Sequence, residues 1–160
     1  MRRLDADARR VQRRLAPDAR LEVVDILPIQ LANLAKKLPR DGRVVLSRGD
    51  SSALAAPSAS VDQVLLFFLL HEQPEAVRRA TLAEAMRVVR PGGRIVIVDY
   101  HPPSRFNPIW WLMRVVFATL EPFAIDLWRH EIAEYLPAAP AALEKRTYFG
   151  GLYQKLVLTR

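Results

Sequence analysis

Arg90-Pro91-Gly92-Gly93-Arg94-Ile95-Val96-Ile97-Val98-Asp99 is the stretch whose reading decides the fold. Pro91, Gly92 and Gly93 punctuate the chain, and the Ile-Val-Ile-Val run behind them lacks polar alternation, as a strand covered on both faces requires. Working upstream, residues 75–90 read as a helix, with Pro74 at its start and Val77, Leu82, Met86 and Val89 on one face. Residues 61–70 form another continuous apolar strand, preceded by a loop at 49–60. Earlier still come a strand at 43–47, a turn at Asp41-Gly42 and a strand at 21–25. Between them Pro28 opens a helix whose apolar face is Ile29, Leu31, Leu34, Ala35 and Leu38. Downstream, residues 144–149 and 152–159 read as a hairpin turning at Gly150-Gly151. Strands alternating with helices predict an α/β fold: a doubly wound, mostly parallel Rossmann-like sheet ending in an antiparallel hairpin.

The 160 residues, 51% of them hydrophobic, suffice for one domain and not two. A single domain over 1–160 is therefore expected, with 100–136 as a helical insertion. That insertion holds all three Trp and three of the six Phe, and its helical stretches are read at 109–120 and 126–136, the composition of a lid or docking surface. No cysteine is present, which excludes disulfide frameworks, thiolate zinc sites and cysteine nucleophiles. The net charge of +7 raises nucleic acid as a partner. Residues 1–20 alone carry seven Arg against three Asp, so the excess is a basic end on a near-neutral body, and a nucleic-acid partner is not expected. Leu4, Ala8, Val11 and Leu15 recur at helical spacing there, the narrow stripe of a surface helix. The apolar run at 64–70 is far below the ~20 residues that span a bilayer.

In open parallel sheets ligands bind beyond the carboxyl ends of strands. Four such ends carry polar groups: Asp25; Gly49-Asp50-Ser51-Ser52; His71-Glu72-Gln73; and Asp99-Tyr100-His101. A carboxylate at the position of Asp25 suits two ribose hydroxyls, with a cap for the helix at Pro28 as the alternative. Asp50 suits an adenine amino group and the Ser51 amide a ring nitrogen, while Gly-Asp-Ser-Ser is also common turn vocabulary. Asp99 and His101 offer oxygen and nitrogen of the kind a manganese ion accepts, and each His is equally read as a polar loop residue.

In order and spacing, Val24-Asp25, Gly49-Asp-Ser-Ser-Ala-Leu54, Asp62-Gln-Val-Leu-Leu66 and Arg90 to Asp99 resemble class I S-adenosylmethionine (SAM) methyltransferases. Phe67-Phe-Leu-Leu-His-Glu-Gln-Pro74, Asp99-Tyr-His-Pro102, Glu121-Pro-Phe-Ala124, Leu127-Trp-Arg-His-Glu131 and Tyr148-Phe-Gly-Gly-Leu-Tyr-Gln-Lys155 resemble the rhodoquinone biosynthesis methyltransferase family (RquA). The resemblance runs from about Leu21 over nearly the whole chain. It implies SAM as cosubstrate, ubiquinone as substrate, an amino group replacing a ring methoxy, and manganese assisting. Residue by residue, it implies Asp25, Asp50 and Ser51 at the cofactor, and His71, Asp99, Tyr100 and His101 at the reacting centre, with Asp99 and His101 as metal ligands. A lipid-dissolved quinone also implies peripheral contact with the inner face of the membrane through the aromatic stretch at 106–123. Ubiquinone/menaquinone-type methylation is the alternative chemistry. The departure lies at the front, since such enzymes begin with a strand and a Gly- or acid-bearing loop, whereas here no Gly precedes Gly42. The expectation from sequence is thus that the first strand is missing and that the chain is a poorly stable, weak or inactive remnant.

Overall fold

The structure, a computed structural model, describes residues 14–38 and 42–160. Most of the predicted N-terminal helix, with Leu4, Ala8 and Val11, lies outside the described residues, as does Asp41 of the predicted turn. The chain divides into two compact units, Met1–Ala55 and Ala56–Arg160.

In the first unit β1 (Leu21–Asp25) leads into helix α1 (Pro28–Ala35) and returns as β2 (Val44–Arg48). The strands pair in parallel from Leu21↔Val44 to Asp25↔Arg48, so both end on one side. Pro28 begins α1, where its missing N–H costs nothing. Of the predicted apolar face of α1, Leu34 is buried, Leu31 and Leu38 are half-buried and Ile29 is exposed.

The second unit is a four-stranded sheet in the order β3 (Val61–Phe67), β4 (Val89–Tyr100), β6 (Tyr153–Thr159), β5 (Ala142–Tyr148). β3 and β4 are parallel, and the other pairs are antiparallel. The α/β class with parallel strands and an antiparallel C-terminal hairpin is as expected; the two parallel pairs belong to separate sheets. Period-two alternation buries Ile95 and Ile97 of β4, and Leu156 and Leu158 of β6. With Leu82 and Ala85 of helix α2 (Glu75–Val88) and Leu127, Ile132 and Tyr135 from the helical segment, these residues make the core.

Several boundaries differ from the sequence reading for identifiable reasons. β3 ends at Phe67 rather than at residue 70, because Phe68 takes φ +49° and turns the chain into a 3-10 turn, Leu70–Glu72. Helix α2 ends at Val88, two residues before the predicted stop at 90, and Val89 already pairs with Val61. Pro91-Gly92-Gly93 therefore lies within β4, where pairing skips from Val61↔Val89 to Gln63↔Arg94. Gly93 has no room for a side chain there, since a Cβ would sit 2.7 Å from the Asp62 carbonyl. β3 is also less covered than predicted, with Leu65 exposed.

Helix α3 (Pro108–Leu120) fits the expected 109–120 stretch, and Asn107 Oδ1 caps it by accepting from the Ile109 amide at 3.1 Å. The predicted helix at 126–136 is instead α4 (Pro122–Leu127) followed by a 3-10 turn, Ile132–Tyr135. Pro122 starts a new helix two residues after α3 ends, and a Glu131/Glu134 capping box starts the turn. The β5–β6 loop spans four residues between the paired Tyr148 and Tyr153, with positive φ at Phe149, Gly150 and Gly151.

Candidate active site

The alternation of β4 creates the site in the second unit. Asp99 continues the buried row of Ile95 and Ile97 and is fully buried, a position where a carboxylate must be satisfied. Its Oδ2 accepts from the Leu70 amide at 2.8 Å, and Oδ1 accepts from the Tyr100 amide at 2.8 Å. Oδ1 also lies 2.8 Å from His71 Nδ1. A carboxylate only accepts, so Nδ1 carries the hydrogen and Nε2 of the neutral imidazole is left as the basic atom.

His71 rides on the 3-10 turn created by the bend at Phe68 and is itself buried. A bulky residue at positive φ is strained by about 1–3 kcal/mol. The strain is offset by the Phe68 N–H donating to the Val98 carbonyl at 2.8 Å and by ring contacts with Tyr100 at 5.5 Å and Tyr153 at 5.4 Å. His71 Nε2 lies 3.8 Å from Glu121 Oε2 and 3.9 Å from Glu72 Oε1. Burial disfavours the imidazolium, but the hydrogen bond and charge of Asp99, with smaller contributions from Glu121 and Glu72, outweigh it and raise the His71 pKa above its ordinary value. Aromatic rings wall this pair: Tyr100 packs edge-on to His71 at 4.7 Å and to Phe117 at 4.8 Å, and Phe117 meets Trp128 at 5.0 Å.

Arg78 supports the turn from below. It is fully buried on α2, with Nε donating to the Leu70 carbonyl at 2.8 Å and Nη1 to Asp126 Oδ2 at 2.7 Å. Its Nη2 donates to the Phe123 carbonyl.

Tyr100 thus joins the His71–Asp99 pair, whereas His101 does not. Its Nδ1 donates to the Gly151 carbonyl at 2.8 Å, and its amide donates to the Leu152 carbonyl at 2.8 Å. The expected metal pair does not fit a divalent ion. Both Asp99 oxygens are taken up by protein donors, His101 is tied to the hairpin loop, and no group of three or more His, Asp or Glu among the described residues is arranged to hold a metal.

The first unit places Asp25 and Asp50 at the carboxyl ends of adjacent parallel strands. Asp25 Oδ1 accepts from the Leu27 amide at 2.8 Å, a turn ahead of α1 rather than the cap considered from sequence, since Leu27 is the cap residue and no side chain bonds the first turn of α1. It uses one oxygen and leaves Oδ2 without a hydrogen bond from the described residues. Asp50 Oδ1 accepts from the Ser52 amide at 2.8 Å and the Ser52 hydroxyl at 2.7 Å. Those two bonds hold its carboxyl below the ordinary value. Ser51 is half-buried next to it. Between the two acids, Gly49 approaches Val24 so closely that a Cβ would meet its Cγ1 at 2.9 Å.

Residues 6–93, more than half of the chain, match the family described as "Methyltransferase domain". The chain belongs to that family. It is 30% identical over 109 residues to a demethylmenaquinone methyltransferase of Thermus thermophilus, covering 68% of this chain and 48% of that protein. It is 29% identical over 94 residues to a ubiquinone/menaquinone biosynthesis C-methyltransferase of Syntrophotalea carbinolica, covering 58% of this chain and 38% of that one. The chain thus spans about half or less of these curated relatives. Among solved structures, that of SibL, an S-adenosylmethionine-dependent methyltransferase, superposes with a TM-score of 0.68 at 21% identity. It covers 98% of this chain and 48% of that one, a likeness of fold.

Sequence reasoning missed Glu121, Arg78, Phe68 and Tyr153 as members of the His71 neighbourhood. Glu121, Phe68 and Tyr153 carried a signal, as parts of the Glu121-Pro-Phe-Ala124, Phe67-to-Pro74 and Tyr148-to-Lys155 motifs, and none of these motifs gives a side-chain role.

Proposed function

We propose that this chain serves as a single SAM-dependent domain that modifies the ring of a membrane quinone, with replacement of a methoxy by an amino group, ubiquinone to rhodoquinone, as its finer chemistry. The observation that carries the reading is the buried His71–Asp99 pair walled by Tyr100, Phe68 and Phe117. It is a site for a flat ring bearing oxygens, with one imidazole nitrogen held ready for a proton. The ordered motifs around residues 67–74, 99–102, 121–124 and 148–155 support the rhodoquinone assignment.

SAM fits the first unit. One free oxygen each on Asp25 and Asp50 suits ribose hydroxyls and the adenine amino group, and Ser51 lies next to Asp50 on the same turn. When bound, SAM would supply nitrogen from its amino group for the exchange, with the ring methoxy leaving as methanol, whereas its sulfonium centre would supply only a methyl. His71 takes a proton from a ring substituent at Nε2, Asp99 holds the tautomer and stabilises the imidazolium, and Tyr100 bounds the ring position.

C-methylation of the quinone ring is a second reading. The quinone methyltransferases among the relatives favour it.

The reading includes a peripheral location at the cytoplasmic side of the inner membrane. No helix of the described residues is long and apolar enough to cross a membrane. Phe106, Trp111, Leu112 and Val115 are exposed beside Arg105 and Arg114, the mixture that suits a lipid interface.

Incubating the chain with SAM and either ubiquinone or a demethylated menaquinone, followed by mass analysis, tests both chemistries. Exchange of methoxy for amino supports the first, and gain of one methyl the second. Absence of either product from a chain that binds SAM would sink the quinone reading.

A further inference from the structure

Glu121 occupies a position that no step above uses. It ends α3 and precedes Pro122, the first residue of α4, with its amide donating to the Phe117 carbonyl at 3.0 Å and its carbonyl accepting from Ala124 at 2.9 Å. A carboxylate before a helix ordinarily accepts from the first-turn amides, yet Glu121 makes no such side-chain bond. Instead Oε2 is buried without a partner among the described residues, and it faces His71 Nε2 at 3.8 Å. The other carboxylate near Nε2, Glu72, has a side chain 69% exposed and is solvated.

An unpartnered buried carboxylate oxygen is unfavourable unless a donor arrives to satisfy it. The 3.8 Å gap is too long for a direct hydrogen bond but fits two groups converging on one atom. An oxygen about 2.8 Å from each would see them about 85° apart, close to the directions in which a hydroxyl accepts one hydrogen bond and donates another. A carbonyl oxygen can accept from His71 but has nothing to give Glu121. We propose that, once His71 carries a proton at Nε2, Glu121 Oε2 and His71 together hold a ring hydroxyl of the substrate, Nε2–H donating to its oxygen and Glu121 accepting its O–H, which makes Glu121 a binding residue that favours a hydroxyl-bearing ring over its carbonyl counterpart.

The proposal rests on the quinone reading and deepens it. The test compares the wild-type chain with Glu121→Gln, which keeps the shape of the side chain and removes its charge. Binding of a tail-less dimethoxy-methyl hydroquinone and of the matching oxidised quinone is measured by anaerobic calorimetry, and His71 is titrated by NMR. Wild type should bind the hydroquinone more tightly. The variant should bind it about tenfold more weakly while changing its affinity for the quinone less than about threefold. The His71 pKa should fall in the variant, because a carboxylate facing it is gone. If wild type binds neither probe, the quinone reading fails and this proposal with it. If hydroquinone binds both proteins equally, the quinone reading stands and the role of Glu121 is overturned. An unmoved His71 titration would overturn it as well, since the two side chains would not then face one another in solution.

Discussion

Replacing Asp99 with Asn removes one charge from a fully buried site and changes little else in shape. The carboxylate accepts from three donors at 2.8 Å: the Leu70 amide, the Tyr100 amide and His71 Nδ1. An amide presents one oxygen and one NH2, so at least one N–H of the three must face another donor. A stranded buried donor costs about 1–3 kcal/mol, and the remaining bonds lose their charge assistance, so the variant should lose about 2–4 kcal/mol. For a chain of this size that is a fall of about 5–15 °C in Tm. The pH dependence is the sharper readout. In the native chain the His71 pKa is raised, so its contribution to stability is fully present below the unfolded value near 6.5 and is lost as pH rises through the folded value. In Asp99→Asn the burial that disfavours the imidazolium is no longer outweighed, and the folded pKa should drop below the unfolded one. The slope then changes sign: this histidine should destabilise the variant as pH falls. Urea melts at about pH 5.5 and about pH 8, alongside NMR titration of His71, measure both effects. A variant that keeps the native slope, or whose His71 still titrates above the ordinary histidine value, would refute the pairing.

Three further outcomes follow from named contacts. Asp25→Ala and Asp50→Ala should each weaken SAM binding by about tenfold or more in calorimetry; unchanged affinity in a folded variant removes that residue from the cofactor site. Arg78→Met should cost about 2–4 kcal/mol in a urea melt because it strands the Leu70 and Phe123 carbonyls and leaves the half-exposed Asp126 carboxylate unpaired, and a loss below about 1 kcal/mol would mean that these bonds are absent. Phe106→Ser with Trp111→Ser should abolish flotation with anionic liposomes, and a double variant that still floats would clear this surface of membrane contact.

The strands were legible because β3, β4 and β6 carry dense apolar runs, and the strand-end rule led directly to Asp99 and His71. Their pairing was not legible. It depends on Phe68 adopting a positive φ, and nothing in Phe67-Phe-Leu-Leu announces that conformation for a residue that disfavours it. Arg78 illustrates a second limit. A charge on a helix reads as a solvated face, and only the three-dimensional meeting of Leu70, Phe123 and Asp126 makes a fully buried guanidinium tolerable. Glu121 was obscured because the second helix of the insertion was read four residues too late. With Pro122 taken as the opening residue of α4, Glu121 becomes a junction between helices rather than a point on a loop. The metal pair failed for a related reason. Spacing of two along a strand puts Asp99 and His101 on one face, but hydrogen bonds to the turn and to the hairpin draw the two side chains to different partners.

The polar groups around His71 form one connected arrangement rather than a set of separate contacts. Asp99 fixes the Leu70 amide and so the 3-10 turn that carries His71. The carbonyl of the same Leu70 receives Arg78, and Arg78 reaches on to Asp126 and the Phe123 carbonyl, both on α4. α4 begins one residue after Glu121, whose Oε2 returns to His71 at 3.8 Å. The imidazole is thus held at Nδ1 by the sheet and faced at Nε2 by the helical insertion, with a buried Arg setting the distance between them. Such an arrangement keeps two carboxylates near one histidine without letting them meet. The inner one is saturated by three donors and serves the fold, while the outer one is left with a lone pair to offer. That asymmetry makes the outer carboxylate, and not the inner one, the group that a ligand can satisfy.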